Sequence, residues 1–201
     1  RVFEEDGRAR SDPFLLRQAA QAYRAGGNLP KSRECRAREL EAEGSFLDAG
    51  NSYVEAGFVS PEGVRCLWRS GRPGWMRLTT IVSDHAHIRD DIEVQWAGAV
   101  CGTTTPARAA DILARFSKRL EDDSKFATEC MGDVVWREGI SALLEHYLSP
   151  TAGTPNTDAA NILAQSLEHI QQRGVALPAR VRAQVSFMIG RFAEAISFWD
   201  E

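Results

Sequence analysis

Apolar residues along this chain recur at helical spacing, in short stretches punctuated by glycine or proline. After Gly44 they follow at offsets of two, five, nine and twelve, as Phe46, Ala49, Tyr53 and Ala56, which places all four on one face of a helix. Near the other end, Gly190 is followed by Phe192, Ala195 and Trp199 at offsets of two, five and nine. A recurring opening of this kind is the mark of a repeat architecture. The stretches between predict further helices. Ser11, Asp12 and Pro13 supply a cap and first turn for a helix carrying Leu16, Ala19, Ala20 and Tyr23 towards Gly26 and Gly27. A second helix spans residues 30–44, a third 46–56, and a fourth follows Ser60 and Pro61 with Val64, Leu67 and Trp68 on its face.

In residues 74–82 the pattern weakens, though Trp75, Met76, Leu78 and Ile81 fit a helix facing a core. Residues 83–91 read as a polar loop, 91–100 as a helix, and Thr103 to Thr105 as the cap of a helix bearing Ala109, Ile112, Leu113, Phe116 and Leu120. Asp122 and Asp123 break the chain before the longest predicted helix, with Phe126, Cys130, Val134, Ile140, Leu144 and Tyr147 as its stripe. A Pro, Thr and Gly-rich loop over 149–157 precedes a helix carrying Ala160, Leu163, Leu167 and Ile170, and a hairpin over 179–189 and 192–199 ends the chain. No stretch sustains period-two alternation, so the expected fold is all-α. Helices this short are unstable alone in water and must bury their stripes against neighbours.

With Gly44 as the turn inside a helical hairpin, Ala37 and Ala49 become the small residues where two helices cross, and Leu40 the next large core position. Ala183 and Ala195 take the crossing positions around Gly190, while Ala19, Tyr23 and Gly26 fall in register as the second helix of a preceding unit. These residues resemble the tetratricopeptide repeat. The resemblance implies antiparallel hairpins stacked as an α-solenoid with a right-handed superhelix, one domain over 1–201 that can subdivide into 1–82 and 90–201. Three features depart from the family pattern. Arg33 stands where a large apolar residue is usual, Ala19 and Ala49 are 30 residues apart instead of about 34, and residues 83–174 match poorly.

Such a scaffold lines a concave groove with the first helix of each hairpin. In this register the groove-facing residues are Lys31, Glu34, Arg38 and Glu41. Lys31 and Arg38 have the chemistry to clamp a peptide carboxylate, whereas Glu34 and Arg38, four apart, are also spaced to pair on a solvated face. Of the five tryptophans, Trp68, Trp96, Trp136 and Trp199 read as core. Trp75, preceded by Gly71, Arg72, Pro73 and Gly74, is the one expected as an exposed anchor for a partner.

Composition narrows the function classes. In 201 residues, 43% are hydrophobic and 26% charged, with a net charge of -4, enough for one ordinary domain and unlike a dedicated nucleic-acid binder. No window reaches the roughly 18 apolar residues of a membrane span, and the charged N-terminus is unlike a signal peptide. We therefore expect a cytoplasmic protein, and, because no initiator methionine opens the chain and the pattern stops at Glu201, a piece of a longer one. Cys35, Cys66, Cys101 and Cys130 lie 31, 35 and 29 residues apart without a CxxC pair, the spacing of buried free thiols and not of a zinc or redox site.

Candidate chemistry is sparse. His85 and His87, with Asp84, Asp90 and Asp91, form the one local cluster of metal-ligand types, but imidazoles two apart diverge on a helix. His146 and His169 follow Glu145 and Glu168 without the Glu-x-x-His spacing of helical di-iron sites. Phosphate loops, nucleophile elbows and HExxH pairs are absent from the sequence. We expect no enzyme activity, no cofactor and no metal. The leading expectation is a scaffold that binds a peptide, a partner protein or another domain of its parent chain. The alternative is an accessory region of a helicase or signalling ATPase, with Lys31, Arg33, Arg36 and Arg38 as a phosphate-facing patch, although these four do not share one helical face.

Overall fold

In the computed structural model, residues 2–10, 12–57, 59–122, 179–188 and 190–199 are described, with a few single positions between 138 and 172. All regular structure among them is helical. The chain divides into two compact units, Arg1–Val94 and Gln95–Glu201.

The first unit contains α1 (Val2–Arg10), α2 (Pro13–Ala25), α3 (Leu29–Ala42), α4 (Phe46–Glu55), α5 (Pro61–Arg69) and α6 (Arg72–Ile81). Each packs on its neighbours in the chain. Their starts follow from local capping: Asp12 Oδ1 accepts the amide of Phe14 at 2.9 Å, Asn28 Oδ1 that of Lys31 at 3.2 Å, and Ser60 Oγ that of Gly63 at 3.2 Å. These bonds satisfy amides that have no partner within their own helix. At the α3–α4 turn Gly44 has φ +80°, a left-handed conformation that costs a side-chain-bearing residue steric strain. Left-handed glycines recur at Gly27, Gly57, Gly71 and Gly190. The first helix, over a segment whose charge alone was noted in the sequence, packs on α2.

Ala37 and Ala49 are fully buried and lie in one cluster with Leu40, Tyr53 and Cys66, with Phe46 packed against it. Ala19, Ala20 and Cys35 form a second cluster with Tyr23 against it. The crossing residues expected from the sequence are thus core residues. Gly50, one position beyond Ala49, permits a closer approach: a Cβ there would stand 2.5 Å from Leu67 Cγ on α5.

Along α6, Trp75, Leu78 and Ile81 are buried, but Met76 is 58% exposed and does not face the core as expected. The following polar segment holds a short 3-10 turn, Ala86–Ile88, with Ile88 buried. Helix α7 (Ile92–Val100) runs across the boundary between the units. The second unit also contains α8 (Pro106–Asp122), α9 (Ala179–Met188) and α10 (Phe192–Trp199). Trp96 stacks on Phe116 with ring centroids 4.8 Å apart, and Ile112 and Leu113 are buried beside them in sequence. Ala183 and Ala195 are buried as expected. The predicted long helix after Asp123, the loop over 149–157 and the helix that follows lie outside the described residues, as do Cys130, Trp136, His146 and His169.

Candidate functional site

Helix α3 carries Lys31, Glu34 and Arg38 on one face, and these three line a cavity of about 300 Å³. Its other walls come from Pro30 of the same helix and from positions after α3. Pro30, Tyr53 and Ala56 supply apolar surface, and Ser60 and Glu62 close it from the start of α5. Glu41, the fourth expected groove residue, is not in the lining but accepts from the Tyr53 hydroxyl at 3.4 Å. The α3 face read from the sequence is therefore concave, and the turn and N-terminus after α4 complete it.

The charges in this cavity are arranged around Glu34. Lys31 Nζ donates to Glu34 Oε2 at 2.8 Å, and Arg38 Nη2 to Glu34 Oε1 at 2.9 Å. Lys31 also lies 3.8 Å from the buried Glu4, whose second oxygen accepts from Tyr23 at 2.5 Å. Both cations expected to clamp an external carboxylate are thus already bonded to an internal one. Spacing of three and four residues on one helical face brings these side chains together.

Glu62 is held in its ionised form. The hydrogen bond to its own backbone lowers its pKa most, and Ser60 and the positive charges of Arg38 and Arg65 act in the same direction. Among the described residues neither Glu41 nor Glu62 forms an ion pair. Burial raises the pKa of the Tyr53 phenol, and the nearby Glu41 charge raises it further, so the hydroxyl stays protonated as a donor. The same two causes push the Cys66 thiol up to about 12.

Trp75 is not an exposed anchor. It is 1% exposed, and its indole Nε1 donates to the Trp68 carbonyl oxygen at 2.9 Å. Gly74 explains how: a Cβ there would run into the Leu67 carbonyl and the Ser70 hydroxyl, so only glycine lets α6 approach α5 closely enough to bury the indole. The assignment of Trp199 also reverses, since it is 57% exposed, as are Phe192 and Ile196 beside it on α10 to similar extents. Trp68 and Trp96 are buried as expected.

The four cations considered for phosphate binding are engaged elsewhere. Besides Lys31 and Arg38, Arg36 pairs with Glu39 at 2.5 Å, and Arg33 Nη1 donates to the Glu55 carbonyl at 2.6 Å. Arg33 thereby caps the last turn of α4, where carbonyls have no helical partner. That gives a structural role to Arg33, which stands where the sequence resemblance implies an apolar residue. His87 Nε2 lies 3.1 Å from the Val59 carbonyl oxygen, and its ring meets His85 edge-on at 5.9 Å. Among the described residues no three metal-ligand side chains converge, and no helix is long and apolar enough to cross a membrane.

Sequence reasoning missed Tyr53 as a cavity wall, having read it only as core, and missed Ser60 and Glu62. The Ser60–Pro61–Glu62 start signal was legible, but which helix face it would meet was not. Comparison with protein-family models, curated proteins and solved structures found no match to this chain.

Proposed function

We propose that this chain is a tetratricopeptide-like helical scaffold that binds an extended peptide or a segment of a partner protein in the groove along α3, without a catalytic step. The observation that carries this reading is the coincidence of Lys31, Glu34 and Arg38, named from the repeat register, with the lining of one cavity. The left-handed glycine turns and the buried crossing alanines support the repeat register itself. At about 300 Å³ the cavity lies at the small end of ligand pockets, roughly 300–1,000 Å³. It has room for one side chain of a peptide.

Selection of peptides from a displayed random library against the full chain tests the proposal. Selected peptides should lose at least about tenfold in affinity, on the order of 1.4 kcal/mol, when Ala56→Arg fills the cavity. Trp199→Ala should leave them unchanged. Binders indifferent to Ala56→Arg, and to Lys31→Glu and Arg38→Glu, would remove the groove from consideration.

A further inference from the structure

We infer that the α3 cavity takes an apolar side chain from a peptide segment that carries lysine or arginine beside it. This rests on the groove reading above and reverses the charge of the ligand expected from the sequence. The lining contains two cations and two carboxylates, so its formal charge does not decide the matter. The distribution of bonds does.

Lys31 and Arg38 each donate to Glu34, at 2.8 and 2.9 Å. An incoming carboxylate must compete with that bridge and also approach Glu62 at the rim. It gains little, because the cations it meets are already neutralised at close range. Glu62, in the lining, and Glu41, one turn beyond Arg38, are in no ion pair among the described residues. Glu41 accepts from the Tyr53 hydroxyl and Glu62 from Ser60 and its own backbone, so an incoming ammonium or guanidinium meets neutral donors there and breaks no ion pair. The walls between these charges are Pro30, the Tyr53 ring and Ala56, an apolar recess suited to a leucine-like side chain. Apolar anchoring inside a charged rim is the usual division of labour at a recognition site.

The test is an amide chemical-shift titration of the labelled full chain with three capped pentapeptides, Gly-Lys-Leu-Lys-Gly, Gly-Gln-Leu-Gln-Gly and Gly-Glu-Leu-Glu-Gly. The basic peptide should perturb Tyr53, Ala56 and Glu62 and bind more tightly than the neutral one, with the acidic one weakest. Glu62→Gln and Glu41→Gln should each weaken the basic peptide by about two- to fivefold, the worth of an exposed ion pair. Added salt should diminish its advantage. If the acidic peptide perturbs the same residues equally or more strongly, the charge inference is wrong while the groove reading stands. If none of the three perturbs these residues, or the shifts fall elsewhere, both are wrong.

Discussion

Gly50 on α4 meets Leu67 on α5 with no room for a methyl group between them. A Cβ at Gly50 would lie 2.5 Å from Leu67 Cγ, 2.7 Å from Cδ2 and 3.0 Å from the backbone nitrogen. This contact sets the separation of the two helices whose ends close the cavity.

Helix propensity alone favours Gly50→Ala by about 1 kcal/mol. The backbone nitrogen of Leu67 cannot rotate away, so overpacking at about 1–3 kcal/mol opposes and outweighs that gain. Gly50→Ala should therefore lower the urea midpoint. Leu67→Ala combined with it should cost less than the sum of the two single changes. An increase in stability on Gly50→Ala would mean that α4 and α5 separate freely.

Trp75 and Trp199 form a second comparison. Trp75→Ala opens a large void and removes the shorter of two hydrogen bonds to the Trp68 carbonyl, leaving the Gly71 amide at 3.4 Å, so it should cost about 3–5 kcal/mol. Trp199→Ala, at an exposed position, should stay within about 0.5 kcal/mol of the parent. Denaturant unfolding of the two variants decides it, and equal costs would contradict the burial of Trp75.

Cys66 should be inert to thiol reagents in the native state. It is fully buried, and its pKa stands at about 12 against an ordinary 9.0, so little thiolate exists near neutrality. Partly exposed Cys101 should react before the buried Cys35 and Cys66. The same shift carries a stability consequence. Because the folded thiol holds its proton more tightly than the unfolded one, its contribution is complete below pH 9 and declines as pH rises towards 12. Tyr53, also raised in the folded protein, adds to the decline above its unfolded value of 10.0. Thermal midpoints should therefore fall with pH above 9, and Tyr53→Phe should flatten the fall. A midpoint constant from pH 8 to 11 would exclude this linkage.

Glu39 is fully buried, and one of its oxygens accepts from Arg17 and forms an ion pair with Arg36 while the other has no hydrogen-bond partner. Its removal and the removal of its partners are not equivalent. Glu39→Met leaves two half-exposed arginines within reach of water, Arg17 still bonded to Glu43 at 2.9 Å. Arg17→Met with Arg36→Met leaves a buried carboxylate uncompensated, which is the costlier state. The double arginine variant should have the lower melting temperature, and the reverse order would show that the pair contributes mainly through the arginines.

Much of the fold was legible because its signals are local. The caps at Asp12 and Ser60, the turn at Gly44 and the spacing of Ala37, Ala49, Ala183 and Ala195 depend on a few neighbouring residues, and the helices begin and end close to where those residues predict. Lys31, Glu34 and Arg38 were likewise identifiable as one face of one helix. Periodicity does not say what covers a face. Phe46 and Tyr53 of α4 and the aligned Phe192 and Trp199 of α10 look alike in sequence, yet the first two pack in the cluster with Cys66 of α5 while the second two are exposed.

The sequence by itself determined the helical class, the turns and several of the buried alanines, because these follow from backbone sterics and side-chain spacing within a few turns. Tertiary structure alone decided that Trp75 is buried, that Arg33 caps α4, and that Tyr53, Ser60 and Glu62 complete the cavity. Those outcomes depend on how closely separate helices approach one another, which local spacing does not fix. At Gly50 and Gly74 that approach is set by a missing methyl group.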